Sequence, residues 1–372
     1  MRFSVSSTDL LRKLQIAGGA IESNPVQPLL EDFLFDLSEN KLIVTATNLE
    51  TSIILELDVI GEENGTVAVP AKILIDTLKA LPDQPISFDV EEDTNWIEIT
   101  SAFGKYKLAG DKAEDYPEIP VIDQENSLEL SSDVLIKAIN NTIIAASDDE
   151  LRLAMTGVFF QIDYNRIVFV ATDAHKLVKY TYSGIEVGFS TSFIVPKKGL
   201  GLLKNGLHGG KQQVTISYTD ANVFFHFDNV KFICRLVDAK FPNYNMVIPV
   251  DNPNELLIGK KDIQNSLKRI SIYSNKSTNQ VVFNLNESSL TMSAQDLDFS
   301  NEATEQLPCK YTGDPMTIGF NAKFFLELLN ILNVAEIKLE LSDPTKACLL
   351  LPVEIPENEE LMMLVMPVMM GN

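Results

Sequence analysis

The chain repeats itself three times, and that repetition decides its architecture before any single motif does. Val44-Thr45-Ala46-Thr47-Asn48, Val170-Ala171-Thr172-Asp173 and Met292-Ser293-Ala294-Gln295-Asp296 each close a strand-like run that follows a short polar turn. Those turns are Ser38-Glu39-Asn40, Asp163-Tyr164-Asn165 and Asn286-Glu287-Ser288. From Asn48 to Asp173 is 125 residues (173 − 48), and from Asp173 to Asp296 is 123 (296 − 173). Other landmarks keep the same period. Val69-Pro70-Ala71-Lys72, Val195-Pro196-Lys197-Lys198 and Phe320-Asn321-Ala322-Lys323 each open an apolar, helix-like stretch. Proline suits a helix start, where its missing N–H would have had no helical partner. Thr8-Asp9-Leu10-Leu11, Ser132-Asp133-Val134-Leu135 and Lys261-Asp262-Ile263-Gln264 read as helix N-termini, which Asp favours through capping and the helix dipole. Asp115-Tyr116-Pro117 and Lys240-Phe241-Pro242 mark the first two units only.

The repeat predicts three domains of about 120 residues each: 1–125, 126–250 and 251–372, with boundaries near Asp123-Gln124-Glu125 and Asp251-Asn252-Pro253. Each reads as helix, strands, helix, strands. Phe33, Phe35 and Leu37 alternate with Leu34, Asp36 and Ser38, the pattern of a half-buried strand. The fold class is therefore α+β, with two helices laid on antiparallel sheet in every domain. A repeat this long is a whole domain, unlike the thin layer of a solenoid.

The net charge of −22 opposes nucleic-acid binding on average, because phosphates call for Lys and Arg. An average hides distribution. Basic residues gather on the six helix-like segments, as Arg12 and Lys13; Lys72 and Lys79; Lys137; Lys197, Lys198 and Lys204; Lys260, Lys261, Lys268 and Arg269; and Lys323. Acid gathers elsewhere, at Glu62-Glu63, Glu91-Glu92-Asp93, Asp148-Asp149-Glu150 and Glu357 with Glu359 and Glu360. The helical lysines are either ordinary solvated side chains or a surface for a polyanion. Few aromatics interleave with them, so duplex backbone contact fits better than stacking on single strands.

The apolar run Leu361 to Met370 is about half the length of a membrane span. The N-terminal MRFSVSSTDLL lacks the apolar stretch of a signal peptide, so a soluble, cytoplasmic protein is expected. Cys234, Cys309 and Cys348 are widely spaced and read as buried reduced thiols, with no metal-ligand spacing and no cofactor motif. GLHGGKQQ, from Gly206 to Gln213, is too short for a phosphate loop and lacks its hydroxyl.

VATDAHKLVKY, residues 170–180, sets Asp173 and His175 two residues apart. A hydrolase built on this pair would also need a nucleophile and an oxyanion site, and no such constellation is evident. Asp173 matches Asn48 and Asp296 in the repeat, which points to a turn-forming Asx side chain. His175 matches Glu50 and Asp298, so it is particular to one repeat and is a candidate for function. A repeat-built scaffold that never meets DNA is a third reading.

The threefold repeat, VATDAHKL, the VPKKGL helix start, LVDAKFPNY and the terminal VMPVM together resemble the bacterial DNA polymerase III β subunit family, the sliding clamps, over the whole chain in order. The resemblance implies a non-enzymatic processivity factor. Two copies would dimerise head to tail into a ring of six domains, with helices lining a hole that encircles duplex DNA. The partners it implies are the DNA polymerase III catalytic subunit, a clamp-loader ATPase and other proteins carrying a clamp-binding motif, and no membrane. The partner-peptide pocket would use Met155, Thr172, Ala174, His175, Lys176, Leu177, Pro242, Val247, Leu364, Met366 and Pro367. The DNA-facing residues would be Arg12, Lys13, Lys72, Lys79, Lys137, Lys197, Lys198, Lys204, Lys268 and Lys323, and the dimer contact would pair Tyr106 and Leu108 with Ile272 and Tyr273. The chain departs from the family pattern at Ala174, usually Gly, at Lys176, usually Arg, and at Met246, commonly Arg. Its tail also runs on as Met369-Met370-Gly371-Asn372. These departures bear on the rim of the pocket and its motif preference.

Overall fold

The computed structural model describes residues 1–122, 126–210 and 212–369. The expected boundary at Asp123-Gln124-Glu125, and Met370, Gly371 and Asn372 of the tail, lie outside the described residues.

Each repeat supplies two helices: α1 (Ser7–Ala17) and α2 (Ala71–Ala80), α3 (Ser132–Thr142) and α4 (Lys197–Gly206), α5 (Lys260–Ile270) and α6 (Ala322–Ile331). Their apolar residues fall at helical spacing and face inward: Leu10, Leu14 and Ala17 on α1, and Ala322, Phe325, Leu328 and Leu329 on α6, are buried. The caps sit slightly before the positions read from sequence. Ser6, not Thr8, caps α1 by accepting the Asp9 N–H. Pro70 is the last residue of the strand Gly65–Pro70 and the N-cap of α2, so it ends a strand where a first helical residue was expected. In the third repeat Asn321 holds that place, and its side chain accepts the N–H groups of Lys323 and Phe324. The pairs Asp32 with Pro70, Gly157 with Pro196 and Gln280 with Asn321 put the three helix starts at one register position.

All named strand pairs are antiparallel, and the chain forms two compact units, each carrying strands from successive repeats. Unit one is Met1–Ile136 with Lys198–Leu236. Its five-stranded sheet runs Ile60–Glu63, Arg2–Ser6, Pro85–Val90, Trp96–Ser101, Gly104–Ala109. Its eight-stranded sheet runs Ser127–Ser131, Gln213–Tyr218, Asn222–Phe227, Val230–Arg235, Thr51–Asp58, Lys41–Thr47, Asp32–Ser38, Gly65–Pro70. Phe3, Phe35 and Phe88 meet in its core, the Phe3 and Phe88 rings stacked at 4.7 Å.

Unit two is Lys137–Lys197 with Val237–Asn372. Its nine-stranded sheet runs Thr191–Pro196, Gly157–Asp163, Arg166–Thr172, Lys176–Tyr182, Glu359–Val365, Cys348–Pro352, Glu336–Leu341, Asn254–Gly259, Lys310–Thr312. Its four-stranded sheet runs Asn301–Pro308, Ser289–Asp296, Gln280–Asn286, Met316–Asn321.

The repeats are thus joined by backbone pairing. The last strand of the second repeat, Val230–Arg235, pairs with Thr51–Asp58 of the first. The last strand of the third, Glu359–Val365, pairs with Lys176–Tyr182 of the second. Two strands in matching positions end their sheets instead: Gly104–Ala109, the last strand of the first repeat, and Asn301–Pro308, which corresponds to Thr51–Asp58 and Lys176–Tyr182.

Cys234 and Cys348 are buried free thiols as expected, and Cys309 is only half-buried. Burial pushes the Cys234 thiol up to about 12, so it behaves as a small apolar side chain. Asp32 is a costlier interior group. It is 5% exposed, and one carboxylate oxygen is buried without a hydrogen-bond partner. Burial raises its carboxyl to about 7, and the neighbouring Asp111 and Glu31 carboxylates add to the effect. An unfolded Asp titrates near 3.8, so the stability contributed by the protonated folded form is fully present below that pH and is lost as pH rises through 7. Asp32→Asn is expected to raise the unfolding free energy by roughly 2 kcal/mol at pH 8 and by almost nothing near pH 4. Urea titrations at the two pH values check this; equal effects at both would show that Asp32 stays ionised in the fold.

Candidate functional site

The turn between the strands Arg166–Thr172 and Lys176–Tyr182 is built by its own side chains. Thr172 Oγ1 donates to the Lys176 carbonyl at 2.8 Å and accepts the Ala174 N–H at 3.1 Å. Asp173 Oδ1 accepts the N–H groups of His175 and Lys176, both at 2.9 Å. Asn48 Oδ1 does the same for Glu50 and Thr51, and Asp296 Oδ1 accepts the Asp298 N–H, so the repeated Asx residue is a turn device in all three units. Asp173 Oδ2 is taken by the Lys176 ammonium at 2.6 Å, while the His175 ring lies on Phe324, with centroids 5.4 Å apart and planes at 15°. Both oxygens of Asp173 are therefore engaged away from the imidazole, and the pair is not an acid–base couple.

This turn holds Ala174 at φ 74°, and the first repeat holds Leu49 at φ 72° in the same place. That left-handed conformation favours glycine, which explains the physical cost of an alanine here.

Neighbours on a strand face opposite ways. Leu177, paired with Leu364, enters an apolar cluster with Val168, Val170, Phe241 and Tyr244, against which Ala154, Ile248 and Met362 pack. Phe241 stacks on Phe159 at 4.7 Å. Lys176 points the other way. Its side chain is 5% exposed, with the ammonium 2.6 Å from Asp173, 3.0 Å from Glu327 of α6 and 4.8 Å from the centre of the Phe324 ring.

Of the pocket residues read from sequence, Thr172, Lys176, Leu177 and Leu364 are buried, Met155 and Pro367 are half-buried, and Ala174, His175, Pro242, Val247 and Met366 are exposed. The Met366 N–H donates to the His175 carbonyl at 2.9 Å, tying the C-terminal segment to the turn. Met246 is 82% exposed beside Val247. The buried cluster of Leu177 and Leu364 thus has exposed residues next to its members in sequence, Pro242 beside Phe241 and Val247 beside Ile248. Phe324 and Glu327 went unread in the sequence. Their only signal is i, i+3 spacing after Asn321, which does not say what the helix touches.

Beside the turn lies a cavity of about 650 Å³, lined among others by His175, Lys176, Phe324 and Glu327, and by Lys197 and Lys323. It brings two residues expected to face DNA next to two expected to hold a partner. Lys197 is half-buried, 2.7 Å from Asp148 and 3.3 Å from the Ala146 carbonyl, and it holds the Asp148 carboxyl below its usual range.

The basic helical residues divide by pairing. Arg12 meets Asp9, Lys79 meets Asp76, Lys137 meets Glu359 at 2.7 Å, and Arg269 makes a two-pronged contact with Glu305. Lys72, Lys198, Lys261, Lys268 and Lys323 are exposed, and Lys13 and Lys204 half-buried. Burial first, then Lys268 and Lys261, lower the pKa of Lys260.

Tyr106 and Leu108 lie on the open strand Gly104–Ala109, half-buried and buried. Tyr106 also lines a groove of about 540 Å³ along α2, with Ile73, Thr77, Ala80 and Leu81. Ile272 and Tyr273, 64% and 42% exposed, form a short turn after α5. Among the described residues no cluster of His, Cys, Asp and Glu could hold a metal ion.

A two-helix module used three times, with an apolar cluster beside one Asx turn and lysines on its helices, suits a protein that works through its surfaces. Residues 1–120, 129–243 and 245–369 match the N-terminal, central and C-terminal domains of the DNA polymerase III beta subunit. The chain is 30% identical over 349 residues to the beta sliding clamp of Proteus mirabilis, covering 92% of this chain and 94% of that protein. It is 29% identical over 370 residues to that of Vibrio cholerae, covering 99% and 100%. A sliding clamp of Pseudomonas aeruginosa, solved bound to griselimycin, matches with a TM-score of 0.94 at 25% identity, covering 100% of both chains. The chain belongs to the DNA polymerase III beta subunit family, the bacterial sliding clamps, which are non-enzymatic processivity factors of DNA replication.

Ala174→Gly is expected to raise the unfolding free energy by about 1 kcal/mol, since glycine adopts the left-handed conformation without strain. A denaturant titration checks this; a lower midpoint would mean the turn relieves its strain in another way.

Proposed function

We propose that two copies of this chain pair head to tail into a closed ring of six domains, 1–125, 126–250 and 251–372 from each, around duplex DNA. The observation that carries the proposal is the pair of unmatched edges. Every strand corresponding to Gly104–Ala109 pairs with a strand corresponding to Asn301–Pro308, except these two themselves. A second copy supplies each with its missing neighbour, and a twofold axis closes the assembly.

The register follows from the observed hairpins. The turn pairing Ser101 with Gly104 corresponds to that pairing Phe227 with Val230, and Gln295 with Glu302 corresponds to Thr47 with Ser52. Phe232 opposite Ile53 and Ile233 opposite Ser52 then become Tyr106 opposite Ala303 and Lys107 opposite Glu302 across the ring contact. Tyr106 and Ala303 are both half-buried, as a shared inner face requires, and Lys107 and Glu302 are exposed and of opposite charge. Ile272 and Tyr273 adjoin Asn301–Pro308 and would fill the groove beside Tyr106.

The positive helix faces favour phosphates without reading bases. Contacts can stay weak, because closure rather than affinity keeps the ring on its duplex, and sequence-independent contacts permit sliding. The rim of Met155, Pro242, Val247, Met366 and Pro367 over the Leu177–Leu364 floor suits an extended partner segment with apolar anchors, to which methionine adapts. The DNA polymerase III catalytic subunit is the principal partner in this reading, and tethering raises its effective concentration at the template. A loader ATPase opens the ring. The work is done in the cytoplasm, where the DNA it encircles lies. No described helix is long and apolar enough to cross a membrane.

Once loaded, the protein should remain on nicked circular DNA through gel filtration and leave after the circle is cut. Lys198→Glu with Lys323→Glu should slow loading without releasing rings already closed. Equal retention on circular and linear DNA would refute topological binding.

A further inference from the structure

Lys176 is a buried charge that the docking reading leaves without a task. A charge this deep persists only when it is paired. Asp173 belongs to the same turn, so it cannot anchor that turn to anything else. Glu327 can: it reaches Lys176 at 3.0 Å from α6, an element of the third repeat. Phe324, one helical turn earlier, carries the Lys176 ammonium at 4.8 Å and the His175 ring at 5.4 Å. Two residues of the turn therefore rest on one ring. The His175 carbonyl in turn holds the Met366 N–H, so the anchor extends to the rim.

The first repeat provides the contrast. Its equivalent turn has Thr51 in place of Lys176, and α4 has Gly199 and Leu202 where α6 has Phe324 and Glu327. There the helix approaches closely, and a Cβ on Gly199 would come within 2.4 Å of Cys234 Sγ. No ammonium is buried at that turn. Both turns are left-handed, at Leu49 and Ala174, so the charged anchor is what distinguishes the turn that leads into the Leu177 cluster.

We propose that Glu327 and Phe324 are positioning residues for partner docking, holding the Thr172–Leu177 turn through Lys176 and His175 so that the rim meets its ligand preformed. The proposal rests on the docking reading above. It assigns to α6, the helix that bears Lys323, a part in partner affinity. Preorganisation of this kind lowers the ordering cost of binding and shows mainly in the dissociation rate.

The test uses the full-length protein and a fluorescently labelled peptide from the clamp-binding segment of the DNA polymerase III catalytic subunit. Glu327 is 34% exposed, so Glu327→Gln can be accommodated by the fold. That variant should weaken the peptide about tenfold, mostly through faster dissociation, as expected for loss of one charged partner of a buried cation. Glu327→Asp should recover most of the affinity. Hydrogen exchange at the His175 and Lys176 amides should quicken in Glu327→Gln while the strand Arg166–Thr172 stays protected. Val247→Asp, on the rim, is the control. If Val247→Asp abolishes binding and Glu327→Gln binds like the parent, the positioning role is wrong and the docking reading stands. If neither change matters, the docking reading fails and takes this inference with it. Faster exchange throughout the strand would make Glu327 a general stabiliser and would equally overturn the proposal.

Discussion

A β-strand inside a sheet needs a hydrogen-bonding neighbour on each side, and this chain meets the need by lending the last strand of each repeat to the repeat before it. Val230–Arg235 completes the first repeat and Glu359–Val365 the second. The same rule leaves one donor strand, Gly104–Ala109, and one acceptor strand, Asn301–Pro308, without a counterpart in the chain. Unpaired edges are a liability in water. Here exposed apolar side chains flank them, Phe103 on one side and Ile272, Leu297 and Phe299 on the other. The proposed ring follows from extending a rule the chain already obeys twice.

Charge is arranged with similar economy. A net charge of −22 coexists with helices on which several lysines have no ion pair among those described, such as Lys198, Lys261 and Lys323. Other basic residues serve the fold. Lys137 meets Glu359, Arg269 meets Glu305 on the open edge strand, and Lys197 is held by Asp148. Exposed pairs contribute little to stability, so their effect is to remove these cations from the surface available to a polyanion. The buried Lys176 differs, because its pairing ties a loop to a helix of the next repeat.

Much of this was legible in the sequence, for local reasons. The period located three copies of one module. Alternation placed the strand of Phe33, Phe35 and Leu37, and the repeated Asx residues marked turns that the hydrogen bonds of Asn48, Asp173 and Asp296 show. What stayed hidden depends on partners distant in sequence. Alternation says which way a side chain faces, but not which strand lies alongside, so the continuation of sheets across repeats could not be read. Lys176 and Leu177 were both assigned to one pocket, although neighbours on a strand face opposite ways; choosing between them requires knowing that α6 covers one face. Phe324 and Glu327 look like any helix residues until that packing is seen. Lys197 reads as a DNA-facing residue in the sequence because its partner Asp148 lies 49 residues away.

If the two open edges pair in the register set by the repeats, disulfide trapping will capture the contact. Tyr106→Cys combined with Ala303→Cys puts thiols at directly opposite positions of the predicted strand pair, within reach of a disulfide. Under mild oxidation the double variant should run as a covalent dimer of the 41.3 kDa chain, while each single variant stays monomeric in denaturing gels. Failure of the double variant to cross-link, at concentrations where the protein is dimeric by light scattering, would contradict edge pairing in this register.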